Sequence, residues 1–211
     1  GIIGLVATYL IRPWPIGISF NFKAIKELVR FGIPFQANTI LALIKDDLLI
    51  VYVGKILPFN QVGYIGFAQK WAFFPLRLIM DNVIKITFPS FSRLQHDKQA
   101  LKIAIEKSLF LVSFFIFPTA VAIIQYSPYL VNFIPRYSKW EPAVLSLSFF
   151  ALNTVFSSIS TPLTNFLTAI GKVKITLIFM VFWTAITWIL TPLFIIAFGY
   201  NGFAAASFLI S

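Results

Sequence analysis

Apolar residues run almost unbroken through five stretches of the chain, roughly residues 32–53, 62–90, 108–125, 143–170 and 174–198, and polar residues gather between them. Each stretch reaches the roughly 20 residues that an α-helix needs to cross about 30 Å of hydrocarbon, so the pattern predicts five complete transmembrane helices. The opening GIIGLVATYLI rises only about 16 Å as a helix, which suits the tail of a preceding span over residues 1–12. The closing GFAAASFLIS reads as the start of a sixth. Residues 13–31 are expected to form a linker, and residues 32–211 the main membrane unit. Within the linker, FNFKAIKELVRF puts Phe22, Ile25 and Val29 on one helical face and Lys23, Lys26 and Arg30 elsewhere. That pattern suits either an amphipathic helix on a leaflet or a short solvated segment.

Composition agrees with the periodicity. Hydrophobic residues make up 59% and charged ones 11%, far from the roughly 45–50% and 25% of soluble domains. The fold class predicted is all-α, a polytopic transmembrane bundle. A net charge of +10 raises the question of nucleic acid, but the basic residues punctuate apolar spans and build no RNA or DNA module. Arg12, Lys23, Lys26, Arg30, Arg93, Lys98, Lys102, Lys107, Lys172 and Lys174 fall on one side of the predicted membrane, against Lys55, Arg136 and Lys139 on the other. The richer side, with residues 13–31, is expected to be cytoplasmic. Trp14 near that boundary and Tyr126, Tyr129, Tyr137 and Trp140 near the opposite one fit interfacial aromatic belts.

Catalytic chemistry finds little support. There is no cysteine, and the single histidine, His96, stands in a charged loop, so no metal site is expected. Glycine-rich phosphate loops, HExxH and GxSxG are all missing, which argues against an enzyme and against a cofactor.

One stretch is anomalous. Residues 70–89, KWAFFPLRLIMDNVIKITFP, hold Lys70, Arg77, Asp81 and Lys85 inside a predicted span. At 100° per residue the four form a single stripe, and Asp81 stands four residues from both Arg77 and Lys85. One carboxylate cannot neutralise three cations, and a cation facing lipid costs at least about 2.5–3.5 kcal/mol. The stripe therefore faces a watered, positive cavity, or Lys70 and Lys85 snorkel to opposite interfaces around a structural Arg77–Asp81 pair.

Two other spans carry polar residues. Ser146, Asn153, Ser157, Ser160, Thr164 and Thr168 keep to one line along the fourth, as cavity lining or as interhelical hydrogen-bonding groups. In the first, Gln36 and Asp47 share one direction and Asn38 and Lys45 another. Adjacent Asp46 and Asp47 point about 100° apart on an α-helix, so they are not expected to line one face equally. A carboxylate at low dielectric beside cations suits proton or cation coupling; a local ion pair with Lys45 is the alternative. Prolines 34, 75, 118, 162 and 192 fall in or near spans, where they kink helices.

In order along the chain come KELVRFGIPF, then KDDLLIVYVGKILPFNQVGYIGFAQKWAFFPL, then ITFPSFSRLQHD, then AIGKVK. From about residue 20 to 211 this order resembles the polysaccharide-biosynthesis (Wzx-like) oligosaccharide flippases of the multidrug/oligosaccharidyl-lipid/polysaccharide exporter superfamily. The resemblance implies a MATE-like second six-helix lobe of a bacterial inner-membrane protein. Such a protein moves undecaprenyl-pyrophosphate-linked oligosaccharide from the cytoplasmic to the outer leaflet by alternating access, serving O-antigen, capsule or exopolysaccharide synthesis. It further implies that Arg77, Lys70, Lys85 and Lys45 hold the pyrophosphate and that Asn153, Ser157, Ser160 and Thr164 meet the sugar. Asp81, Asp47 or Asp46 would then respond to a proton or sodium gradient. A peptidoglycan-precursor flippase and a drug or cation exporter share the superfamily fold and remain open. A membrane glycosyltransferase or ligase is disfavoured by short loops.

Overall fold

The computed structural model describes residues 9–11 and 21–211, so Arg12 and Trp14 lie outside the described residues. Two compact units divide at residue 33, Gly1–Ile33 and Pro34–Ser211. In the first, the described residues are helical over 9–11 and again from residue 22, where α1 (Phe22–Leu43) begins. The helix expected from FNFKAIKELVRF therefore forms, and Phe22, Ile25 and Val29 are exposed along with Lys23, Lys26 and Arg30.

The second unit is an all-α bundle, and among the described residues there is no strand. From α1 the chain passes through a π-helical turn, Ile44–Leu48, into α2 (Leu49–Ile56). Two 36-residue helices follow, α3 (Phe59–Leu94) and α4 (Lys98–Phe133), then a 3-10 turn (Ser138–Ala143). The last three are α5 (Val144–Ala169), α6 (Val173–Phe198) and α7 (Tyr200–Ile210).

Local chemistry fixes the boundaries. Asp97 caps α4 by accepting from the backbone N–H groups of Gln99 and Ala100, both at 3.0 Å, which satisfies two orphan donors of the first turn. The AIGKVK segment closes α5 with paired bonds, Lys172 N–H to Leu167 O at 2.8 Å and Gly171 N–H to Thr168 O at 3.1 Å. This arrangement needs a left-handed residue, supplied by Gly171 at φ +79°.

Helix α5 is the hub of the bundle and packs on α3, α4 and α7. Its Leu147 and Phe150 share a core with Ala68 and Ala72 of α3, Ile195 of α6 and Phe203 and Ala204 of α7. Small residues at the α3 contact permit close approach of the two backbones. Helices α3 and α5 run in the same direction, since Phe73 meets Phe150 and Phe91 meets Phe166. Consequently the α3–α4 turn, with Arg93, Lys98 and Lys102, lies at the same end as the α5–α6 turn, with Lys172 and Lys174. The charge asymmetry read from the sequence thus has a geometric counterpart.

At the opposite end Tyr64, Phe67, Tyr137, Trp140 and Tyr200 form an aromatic cluster. Trp140, expected as an interfacial anchor, stacks on Phe67 with ring centroids 4.5 Å apart. Tyr126 and Tyr129 remain exposed, as belt residues would be.

Three helical segments are long and apolar enough to cross a membrane: α4, the 3-10 turn with α5, and α6. Only 22%, 39% and 17% of their most apolar windows are buried within the protein, so most of that apolar surface is left for lipid. Two of the five expected spans fall outside this set. The π-helical turn divides the helix before α3, and α3 carries the four ionisable residues, although 36 residues of helix extend about 54 Å. Prolines 34, 75, 118, 162 and 192 all sit within helices, with Pro89 and Pro128 besides.

Candidate functional site

The packed face of α3 is set by Ile65, Ala68, Ala72, Leu76, Met80 and Val83, a repeat of three and four residues. Lys70, Arg77, Asp81 and Lys85 lie roughly 150° round the helix from that face, and all four are exposed. Among the described residues the ion pairs are Lys45–Asp46 at 2.9 Å and Lys102–Glu106 at 3.8 Å. Arg77 and Asp81 therefore do not form the structural pair that was the alternative to a cavity.

In the second unit, the charged face of α3 meets a cavity of about 800 Å³. Its walls come from the end of α1, the π-turn, α3, α5, α6 and α7. Of the residues expected at the site, Lys45, Asp46, Asp47, Lys70, Arg77, Asn153, Ser157, Ser160 and Thr164 line it. Asp81 and Lys85 do not, because they stand further along α3, about one and two helical turns beyond Arg77. The lining thus holds three cations and two carboxylates. Because Lys45 and Asp46 pair with each other, Lys70, Arg77 and Asp47 are left uncompensated by direct contact.

Asp46 and Asp47 of the π-turn both line the cavity, as do the adjacent pairs Ser160 and Thr161, and Thr164 and Asn165, on α5, because the space is wide enough to meet neighbouring directions of one helix. The indole N–H of Trp188 on α6 donates to the Ile44 carbonyl at 3.1 Å, which ties the start of the turn to the bundle. Nearby, Asn38 Nδ2 donates to Thr176 Oγ1 at 3.2 Å.

The polar stripe of α5 divides in two. Ser146, fully buried at the aromatic end, donates to Asn201 Oδ1 of α7 at 2.7 Å and is pure interhelical packing. Asn153 does both jobs. Its Nδ2 donates to the Ser207 carbonyl at 2.6 Å, its Oδ1 accepts from Ser157 at 3.1 Å, and it still borders the cavity. Ser157, Ser160, Thr164 and Thr168 continue the lining toward the basic end.

Sequence reasoning did not single out Gln69, Asn165 or the α6 contribution of Thr176, Met180, Trp183 and Thr187. A signal was present, since these four recur at intervals of four, three and four residues, one helical face. Asn165 also holds a buried Nδ2 with no partner. Among the described residues no group of three or more His, Asp or Glu could hold a metal ion, and His96 is exposed in the α3–α4 turn.

Comparison with known proteins places this geometry in context. A family described as "Polysaccharide biosynthesis protein" matches residues 1–145. The chain is 24% identical over 185 residues to the lipopolysaccharide biosynthesis protein WzxC of Escherichia coli (strain K12), covering 87% of this chain and 36% of that one. It is 25% identical over 159 residues to an uncharacterized membrane protein in the cps region of Klebsiella pneumoniae, covering 75% of this chain and 33% of that one. The chain therefore spans about a third of the length of these curated relatives. No solved structure matches it significantly.

Proposed function

Because the chain belongs to the polysaccharide biosynthesis protein family, we propose that it is part of a membrane transporter that flips undecaprenyl-pyrophosphate-linked oligosaccharide from the cytoplasmic to the outer leaflet. The observation that carries this reading is the pair of unneutralised cations, Lys70 and Arg77, on a cavity whose wall also presents hydroxyl and amide groups among apolar side chains. A prenyl tail can stay in lipid during transfer, whereas a pyrophosphate with sugars cannot cross about 30 Å of hydrocarbon unaided. The cavity need shelter only the head group.

In this account Arg77 offers its fork to the pyrophosphate and Lys70 and Lys45 add point charges. Asn153, Ser157, Ser160 and Thr164 meet the sugars. Lys85 serves as a cation on the approach to the cavity, toward the basic end. Asp47, which forms no ion pair, takes the coupling role for a proton or sodium ion; Asp46, paired with Lys45, and Asp81, outside the lining, support it less directly. Residues 32–211 act as the second lobe of a two-lobe alternating-access carrier, with α1–α2 and α3 also crossing the bacterial inner membrane. The basic end, with residues 13–31, faces the cytoplasm. One surplus positive charge in the lining argues against a carrier of cationic drugs, which would favour acidic walls.

A water-filled cavity has a direct chemical test, made easy because this chain contains no cysteine. In the full-length protein, with cysteine confined to the tested position, Ser160→Cys is expected to react with a membrane-impermeant maleimide. Phe114→Cys, on the exposed apolar face of α4, should stay unlabelled, because the thiolate that reacts does not form in hydrocarbon. Equal labelling of the two positions would remove the cavity from the account.

A further inference from the structure

The hydrogen-bonding sense of the cavity wall limits which sugars it can hold. Five lining hydroxyls on α5 and α6 have already committed their protons. Ser157 donates to Asn153 Oδ1 at 3.1 Å, and Thr164 to the carbonyls of Ser160 and Thr161 at 3.1 and 2.9 Å. Thr168 donates to Thr164 O at 3.0 Å, Thr176 to Val173 O at 2.8 Å and Thr187 to Trp183 O at 2.7 Å. A hydroxyl has one proton and two lone pairs, so each of these can only accept from a ligand. The amide Nδ2 of Asn165 is occluded and gives the cavity no donor. Among the described residues, the uncommitted donors on this wall are the Ser160 and Thr161 hydroxyls and the Trp183 indole N–H, and the strong donors, Lys70 and Arg77, belong to α3.

Trp183 stands in the same lining, half-buried, one helical face with Thr176, Met180 and Thr187. Its indole N–H makes no protein hydrogen bond, whereas that of Trp188 is spent on Ile44. The Trp183 ring leans on Phe179 of the same helix, centroids 5.7 Å apart, and borders the cavity, an apolar platform beside an array of acceptors. The axial C–H face of a hexose presents apolar surface, and its rim presents O–H donors, so the two surfaces are complementary.

We propose that the α5–α6 wall is a subsite for a neutral sugar, with Trp183 stacking on the ring and the acceptor-only hydroxyls taking its O–H groups. This deepens the lipid-linked oligosaccharide reading and rests on it. A uronic acid is disfavoured there: its carboxylate is all acceptor and would face five hydroxyls whose protons are spent, with only the neutral donors of Ser160, Thr161 and Trp183 and no cation on the wall to offset its desolvation.

The test uses the full-length protein in nanodiscs and three probes: undecaprenyl pyrophosphate without sugar, with one neutral hexose, and with one hexuronic acid. The neutral hexose is expected to strengthen binding by about tenfold over the sugar-free lipid, the scale of one good aromatic stack. The hexuronic acid should bind no better than the sugar-free lipid. Trp183→Leu should abolish the hexose increment while leaving sugar-free binding intact, which also reports that the variant is folded, and Trp183→Phe should keep most of the increment. Hexuronic acid binding as tightly as hexose, or an unchanged increment in Trp183→Leu, would overturn the subsite alone. Failure of all three lipids to bind more tightly than phosphatidylglycerol would overturn the transport reading and the subsite with it.

Discussion

Replacing Arg77 by alanine is expected to cut polysaccharide output by at least about tenfold in cells that depend on the full-length protein. A hydrogen bond to a charged partner contributes about 1.5–3 kcal/mol, equivalent to about 10–100-fold in affinity. Among the described residues, Arg77 is the one guanidinium in the lining, lies opposite the packed face of α3, and forms no ion pair that its removal would disrupt. The loss should thus fall on substrate and spare the fold. Arg77→Lys keeps the charge and surrenders the fork, so it is expected to fall between alanine and wild type. Lys85→Ala, on the same stripe but outside the lining, should change output by less than about threefold, in line with a screened, solvent-facing charge. Polymer yield at matched expression checks all three. Equal losses for Arg77→Ala and Lys85→Ala would show that the stripe acts by charge alone and that the cavity boundary is irrelevant.

The second large effect concerns stability. Gly202 lies in α7 where that helix meets α6, and a Cβ placed on it would overlap the Phe194 carbonyl and crowd the Ile195 nitrogen. Both are backbone atoms of α6, so no side chain can swing away to make room. Overpacking a well-filled contact costs about 1–3 kcal/mol, and backbone against backbone belongs at the top of that range. Gly202→Val is expected to lower the melting temperature of the detergent-solubilised protein and its cellular level, with Gly202→Ala milder in the same direction. Gly63→Ala in α3 is the control: nothing lies within 4 Å of its added methyl, and alanine in a helix gains about 0.5–1 kcal/mol over glycine. The consequence reaches the site, because α7 supplies Phe203 and Ser207 to the lining, and the Ser207 carbonyl holds Asn153. Wild-type stability in Gly202→Val would mean that α6 and α7 are not in backbone contact.

Much of this arrangement was legible in the sequence. The all-α fold follows from apolar runs of spanning length, and the common face of Lys70, Arg77, Asp81 and Lys85 from a 3.6-residue period in an unbroken helix. The basic end follows from loop charges that the parallel course of α3 and α5 brings together. Three things were not legible. Periodicity gives the direction of a side chain but not how far along the helix a cavity extends, which is why Asp81 and Lys85 share the stripe with Arg77 and miss the lining. Nor does it give the width of the space, and so Asp46 and Asp47, which point in different directions, meet one cavity, as Ser160 and Thr161 do. Trp183 was masked by its setting, since a tryptophan in a strongly apolar helix reads as lipid-facing until the neighbouring helices are in place.

The polar residues of α5 show why composition alone could not separate packing from binding. Ser146 and Asn153 stand seven residues apart on one line, and both reach α7 through a hydrogen bond. What distinguishes them is depth in the bundle: Ser146 is sealed at the aromatic end, whereas Asn153 opens onto the space that Arg77 faces. A membrane helix can use one polar face for both purposes because hydroxyls and amides have more than one hydrogen-bonding site.

Passage of a lipid-linked oligosaccharide through this cavity would be read out by leaflet-resolved measurement of that lipid. Vesicles reconstituted with the full-length protein, wild type or Arg77→Ala, would be loaded with undecaprenyl-pyrophosphate-linked oligosaccharide in one leaflet and probed with a lectin confined to the other side. The account predicts appearance of the sugar on the far side with wild type and retention on the near side with Arg77→Ala. Equal appearance with the two proteins, or none with wild type, would contradict it.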